Sequence, residues 1–435
     1  MCVAVVFIIF IICMAVSLSL GLSMIFPLLV GLVLFCALAV RKGFTIKELA
    51  AVSKDSLHDS FIVVGILILV GCLTGLWRAC GTIAYFVTVG VSMMPPKLFI
   101  LAAFLLNAAM SYAFGTSFGV TATAGVIIMS IARAGGVNPV LAAAAVMSGV
   151  YVGDRGSPAA SSANLVAVLT HTDMRSNVRR MFRTSIIPFI ICCVFYLLLS
   201  FFYPMERADA EVLGKLAQEF NLSWFCLIPA VLMIILPFCR VSIRLSMAVS
   251  MAASFVIGVS VQKLSVLSCL RFMLFGFAPR NADLSSMLSG GGIISMLEIC
   301  VILLISGSYG GIFRATGLLQ PLTGALEKLA DKTGRFAAML VLGAGVCAVF
   351  CNQTIGVIMQ NQLSSTLYGD SEEEKNEKMI DIENSAILIA GLVPWCIACS
   401  VPLAMLGVGY KAIPFSMYLW LVPLYNLIYR VKHKN

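Results

Sequence analysis

The chain has 435 residues, of which 60% are hydrophobic and only 11% charged, with a formal net charge of +9 and a mean hydropathy of +1.02. Soluble domains hold about 45–50% apolar residues, and one soluble core could not hide this much apolar surface, so a soluble globular protein is excluded. No long basic run is interleaved with aromatics, so no nucleic-acid partner is expected; basic residues of membrane proteins collect on the cytoplasmic side instead.

Apolar blocks begin at once. Val3–Leu20 and Leu22–Val40 are followed, further on, by Ile186–Tyr203, Trp224–Phe238 and Ile413–Tyr429. Each is close to the ~20 residues that cross a ~30 Å hydrocarbon layer. Uniform apolar runs predict helices and exclude the alternating strands of an outer-membrane barrel. The first block lacks a basic leader and a second block follows directly, so it reads as a retained span. Fifteen cysteines sit almost entirely in apolar blocks, Cys36, Cys192, Cys193 and Cys300 among them. They read as small core hydrophobes. Cys396-Ile-Ala-Cys399 has the C-x-x-C spacing without the βαβ context of a redox motif.

Basic loops orient the chain. Arg41–Lys54, Met174–Arg183 (Arg175, Arg179, Arg180, Arg183), Arg240–Arg244 and the tail Arg430–Asn435 (Lys432, Lys434) are expected inside. The acidic stretch Glu206–Glu219, with Arg207, Asp209, Glu211 and Lys215, is expected outside. A repeat follows from Gly75-Leu-Trp-Arg78-Ala-Cys-Gly81 and Gly311-Ile-Phe-Arg314-Ala-Thr-Gly317, offset by 236 residues. Pro158 and Pro394 share that offset; Gly119 and Gly356, and Pro188 and Pro423, fall within one residue of it. The span Leu245–Val261 lies between the units, so the second is expected to run inverted, as in many secondary transporters. Gln262–Gly292 is expected outside and interfacial; a crossing there would remove the inversion. The organisation is thus 1–60, an N-terminal hairpin and loop; 61–203, the first unit; 204–292, a connector; and 293–435, the second unit.

Polar residues at membrane depth mark pathways, and four clusters stand out. Ser111–Thr121 mixes glycines with hydroxyls, and Thr116 and Ser117 can offer oxygens to a small cation; packing by small residues is an equal reading. Gly149–Asn164 holds Asp154, Arg155, Ser157, Pro158, Ser161, Ser162 and Asn164. Gly153, Gly156 and Pro158 predict two half-helices meeting at a polar break, with a solvent loop as the plainer alternative. Asp154 can bind a cation or a proton, and Arg155 can pair with it or act as an internal cation. Asn352-Gln353-Thr354 occupies the place of the first cluster in the second unit, with Gln360–Gln362 further on towards the interface. Asp381-Ile-Glu383-Asn384-Ser385 leads to Pro394 and reads either as a solvated helix start or as cavity residues. No H-E-x-x-H, Walker A or intramembrane protease pair is present, so no enzyme is expected.

Gly149–Asp173 resembles the signature of the NhaC-type sodium/proton antiporter family, G-D-x-x-S-P-x-S-D-T-T-x-L. Gly153-Asp154, Ser157-Pro158, Asn164-Leu165 and Thr172-Asp173 carry the match. Gly115-Thr-Ser-Phe-Gly119 is similar to that family's G-T-S-x-G, and Glu383-Asn-Ser…Leu392-Val-Pro-Trp395 to its E-D-S…P-L-I-P-W. Leu288-Ser-Gly-Gly-Gly292 and Gly310-Gly311 are also similar. The resemblance runs from about residue 60 to the C-terminus, in order. It departs where the family's two acids become Ser161 and Asn384.

The resemblance implies an ion-coupled secondary transporter, with Na+ and H+ as coupling ions and no other cofactor. A Na+- or H+-coupled carrier of a small amino or carboxylic acid is the alternative. The expected structure is an all-α polytopic membrane protein with about 10–13 hydrophobic segments and two inverted-topology repeats with broken or re-entrant helices. The expected ion or substrate residues are Thr116, Ser117, Asp154, Ser157, Ser161, Asn164, Asn352, Gln353, Thr354, Glu383 and Asn384. The expected location is the plasma membrane (a bacterial inner membrane), multi-pass, with a cytoplasmic C-terminus. The expected partners are the lipid bilayer and a small ion or organic solute; a homodimer is left open.

Overall fold

The computed structural model describes residues 3–206, 210–239, 241–281, 284–317 and 322–432. Among them there are helices and turns, with one isolated bridge between Phe277 and Gly290 and no strand. Six helices are long and apolar enough to cross a membrane, and five shorter apolar ones accompany them. The all-α polytopic membrane fold is as expected. Arg207, Asp209, Arg240 and Lys434, used above for orientation, lie outside the described residues.

Helices α1 (Val3–Ser19) and α2 (Ile25–Arg41) form the N-terminal hairpin. α3 (Ile46–Ala79) begins at a capping box, where Thr45 and Glu48 satisfy each other's backbone N–H groups. Its 34 residues rise about 51 Å, more than the hydrocarbon layer, so its charged first turns stand in water. Then come α4 (Phe99–Phe114), α5 (Ser117–Ala134), α6 (Pro139–Gly156), α7 (Ser161–Thr170) and α8 (Met174–Phe202). α8 exposes Ile186, Ile190, Val194 and Leu198 along one helical stripe, the face expected against lipid. α5 is the reverse, largely enclosed, and carries a π-helical turn at Thr121–Gly125.

The second half contains α9 (Val266–Phe275), α10 (Leu297–Thr316), α11 (Arg335–Phe350), α12 (Gln353–Leu363), α13 (Glu372–Glu383), α14 (Ile397–Met405) and α15 (Met417–Lys432). α10 runs antiparallel to α3. Gly292 N–H donates to Gly71 O at 2.7 Å near the start of α10, and Ser56 Oγ to Gly307 O at 2.8 Å further along. Glycine makes this closeness possible. A Cβ on Gly311 would stand 2.3 Å from Val52 O, and one on Gly307 2.0 Å from Ser60 Oγ.

The described residues of Gln262–Gly292 hold no helix long enough to cross. α9 has 10 residues, about 15 Å, half of what a span needs. Gln262 Nε2 bonds Cys80 O at 3.1 Å, and Gly292 returns to Gly71. Both ends of the segment therefore lie on the same half of α3.

Candidate functional site

Two helical hairpins, the broken helix α6–α7 and the end of α13 build the centre. In the first hairpin, α4 ends on Gly115 at a positive φ of 65°, and α5 restarts at once from Thr116. In the second, α11 ends on Cys351 at φ 55° and α12 restarts from Asn352. The restarts are nearly the same, with Thr116 at φ −146°, ψ 121° and Asn352 at φ −141°, ψ 125°. Each side chain caps its new helix: Thr116 Oγ1 accepts from Gly119 N–H, and Asn352 Oδ1 from Thr354 and Ile355 N–H.

The hairpins open to opposite faces. The base of the first lies at the far end of α8, where Leu101 N–H donates to Ser200 Oγ and Glu206 N–H to Gly135 O. The base of the second lies beside Glu374 and Glu377, which pair with Arg335. Glu377 lines one cleft with Arg180 and Arg183, at the start of α8. Each hairpin thus enters from its own side and turns back at a tip.

The first tip is wedged against the break between α6 and α7. A Cβ on Gly115 would lie 2.3 Å from the Ala159 carbonyl carbon, and Ser157 Oγ donates to Tyr112 O at 2.6 Å. α6 itself packs backbone to backbone on α4, since a Cβ on Gly153 would meet Ser111 C at 2.0 Å. The second tip reaches the same break. Gln353 Nε2 donates to Asp154 Oδ2 at 3.1 Å and to Ile387 O at 2.9 Å. Ser117 and Ser162 also face Asp154, and the Ser162 hydroxyl donates to the Asp154 backbone carbonyl at 2.5 Å.

Arg155 does not pair with Asp154. It is fully buried and points the other way. Its Nε and Nη2 both donate to Asn384 Oδ1, at 3.1 and 2.5 Å; Nη2 also reaches Thr184 Oγ1 at 2.7 Å, and Nη1 reaches Met181 O at 3.1 Å. Glu383 is also fully buried, and among the described residues neither of its oxygens has a hydrogen-bond partner. The charges acting on it are Arg155 and Asp154. The solvated-helix-start reading of Asp381–Ser385 therefore fails: all five residues are buried. That helix starts at Glu372, capped by Ser371, eleven residues earlier in the chain than Glu383.

The remaining expected residues divide. Thr116, Ser117, Asp154, Gln353, Glu383 and Asn384 lie at or beside this centre. Ser157 serves the break. Ser161, Asn164 and Thr354 are exposed. Asn164 Nδ2 is turned back onto Pro158 O and Ala160 O. Gln360 is not at an interface; it is buried, bonding Met339 O at 2.7 Å and Ser385 Oγ at 2.8 Å. Ser162 and Ser385 are site neighbours that the sequence reading did not single out, although both sit beside residues that it did.

The profile of the Na+/H+ antiporter family matches residues 149–432, close to two-thirds of the sequence. The chain belongs to this family. The match starts in α6, so it covers the broken helix, Asp154 and the whole second hairpin, while Thr116 and Ser117 precede it. A malate-2H+/Na+-lactate antiporter of Bacillus subtilis is 26% identical over 392 residues, 88% of this chain and 83% of that protein. The Na+/H+ antiporter NhaC of Alkalihalophilus pseudofirmus is 24% identical over 397 residues, 90% and 86% of the two chains. The arginine/ornithine antiporter ArcD of Halobacterium salinarum is 25% identical over 387 residues, 86% and 80%.

Proposed function

We propose that this ion-coupled secondary transporter exchanges Na+ for H+ at the carboxylates of Asp154 and Glu383. The supporting observation is Glu383: a fully buried carboxyl with both oxygens unpartnered. A buried carboxylate without partners is costly, so its stable forms are the protonated acid and the cation-bound anion. Those two forms are the two half-states of an exchanger. Arg155 stands close enough to act on Glu383 while its own hydrogen bonds go to neutral groups. It can offset one of the two carboxylate charges, so one cation or one proton completes the balance.

Ser117 and Gln353 bring one oxygen-bearing side chain from each hairpin tip to Asp154. Na+ needs several oxygens, and hydroxyl, amide and backbone oxygens supply what one carboxylate cannot. Thr116 and Asn352 act here as helix caps that hold the tips open. The opposed hairpins favour two inverted units, 61–203 and 293–435, with alternating access by movement of one against the other. The expected setting is a plasma membrane, with the face of Arg41–Lys54, Arg180 and the C-terminus towards the cytoplasm.

The test is 22Na+ uptake into proteoliposomes driven by an imposed pH gradient. Asp154→Asn and Glu383→Gln should each reduce pH-driven uptake at least 100-fold with normal insertion. Full pH-driven exchange in the Glu383→Gln protein would remove Glu383 from the site.

A further inference from the structure

A second polar cavity lies at the end of α3 furthest from Thr45, and none of the residues around Asp154 lines it. Its volume is about 480 Å3. Thr74, Arg78, Arg133, Gly291, Ser295 and Met405 are among its walls. Arg78 is 6% exposed, yet among the described residues its Nε has no hydrogen-bond partner and Nη1 alone is used, on Thr74 O at 3.0 Å. Arg133 donates Nη2 to Leu406 O at 2.8 Å and Gly407 O at 3.1 Å. Among the described residues no carboxylate pairs with either guanidinium. The charge that acts on Arg78 is Arg133, a like one. Glu298, at the start of α10, is engaged with Ser23 Oγ at 2.5 Å.

Two guanidiniums sharing one cavity repel, and a buried charge without a counter-charge is costly. An anion between them reverses both effects. The glycine run beside them keeps the space open: Gly290, Gly291 and Gly292 all have positive φ, and a Cβ on Gly290 would stand 4.0 Å from Arg78 Nη2. The guanidinium fork matches the two oxygens of a carboxylate. The other walls suit a short carbon skeleton, with hydroxyls at Thr74 and Ser295 and apolar surface at Val70, Met296 and Met405.

The geometry points to a binding site for a small organic carboxylate between Arg78 and Arg133, separate from the Asp154–Glu383 centre. An acid of a few carbon atoms fits this cavity. Its carboxylate takes the free Nε of Arg78 and the guanidinium of Arg133, and its remainder lies along Thr74, Ser295 and Met405. The inference goes beyond cation exchange and does not depend on it.

The experiment is equilibrium dialysis of radiolabelled succinate against the full chain in phosphatidylcholine nanodiscs, without Na+ and without a gradient. Saturable binding is expected, not displaced by dimethyl succinate and weakened at least tenfold in Arg78→Gln and in Arg133→Gln. Thermal melts confirm that each variant is folded. Should the arginine variants not fold, Ser295→Trp fills the cavity from an exposed position and should abolish binding with an unchanged melt. Unaltered succinate binding in these variants would overturn the site, as would no saturable binding in the parent chain. Saturable binding of labelled inorganic phosphate or phosphatidylglycerol that is weakened in the arginine variants, with no measurable succinate affinity, would overturn the carboxylate assignment in favour of a phosphate or a lipid headgroup.

Discussion

Gln353 donates its side-chain amide to Asp154 across the two halves of the molecule, Nε2 to Oδ2 at 3.1 Å. One residue belongs to the tip of a re-entrant hairpin, the other to the end of a broken helix. The bond therefore ties the second hairpin to the carboxylate that the first hairpin also faces.

Removing that amide should weaken cation binding without unfolding the protein. Gln353→Met keeps the length and loses the polar atoms. A hydrogen bond to a charged group contributes about 1.5–3 kcal/mol, so the Na+ concentration for half-maximal exchange should rise about 10- to 100-fold. The measurement is 22Na+ uptake per folded molecule against Na+ concentration. An unchanged half-saturation would separate the tip from the site.

Asn384 receives two bonds from Arg155 on a single oxygen, while its Nδ2 has no partner in a buried position. Asn384→Asp replaces that idle donor with a second acceptor, and the family resemblance has an acid here. A paired guanidinium and carboxylate should form in place. Adding a charge-assisted partner to a buried arginine should raise the melting temperature by a few degrees. It should also draw Arg155 away from Glu383 electrostatically and shift the pH dependence of exchange. Differential scanning fluorimetry and a pH profile of uptake read the two effects; a lower melting temperature would contradict the first.

Much of this centre is legible in the sequence. Pro158 cannot continue a helix, and the chain does break there, at Ser157–Ala160, whereas Gly153 and Gly156 stay within α6. The 236-residue offset pointed to Thr116 and Asn352 as counterparts, and both start a helix just after a residue at positive φ. What sequence spacing could not give is side-chain direction. Asp154 and Arg155 are adjacent, so a pair between them was open, but successive residues on a helix point about 100° apart. Arg155 therefore turns to Asn384 and Asp154 to Gln353. Distance along the chain hid Gln360 and the Arg78–Arg133 cavity for a related reason: their partners are set by tertiary packing.

Close contact between α4 and α6 makes a sharp contrast between two nearby glycines. A Cβ at Gly153 would meet Ser111 backbone atoms at 2.0 Å, whereas one at Gly156 has no atom within 4 Å. Gly153→Val should cut the yield of folded protein at least tenfold, because backbone cannot yield as a side-chain tip can. Gly156→Ala should leave yield and melting temperature close to the parent. Size-exclusion profiles of the two variants in detergent measure this, and equal yields would refute the packing account.

In the last turn of α13, two residues before Glu383, Asp381 is fully buried beneath Arg430, which pairs with it and with Glu377, and Tyr368 Oη donates to it at 2.7 Å. This cluster ties α15 to the last turn of α13. Breaking a buried pair by removing one partner costs about 3–5 kcal/mol, because the other charge is left stranded. Arg430→Ala should therefore lower the melting temperature substantially. Asp381→Asn in the same chain removes the stranded charge and should recover part of the loss, since an amide can still accept from Tyr368. The double variant should thus be more stable than Arg430→Ala alone. Thermal melts of the parent, both single variants and the double variant decide it: additive losses would mean that Asp381 and Arg430 act independently.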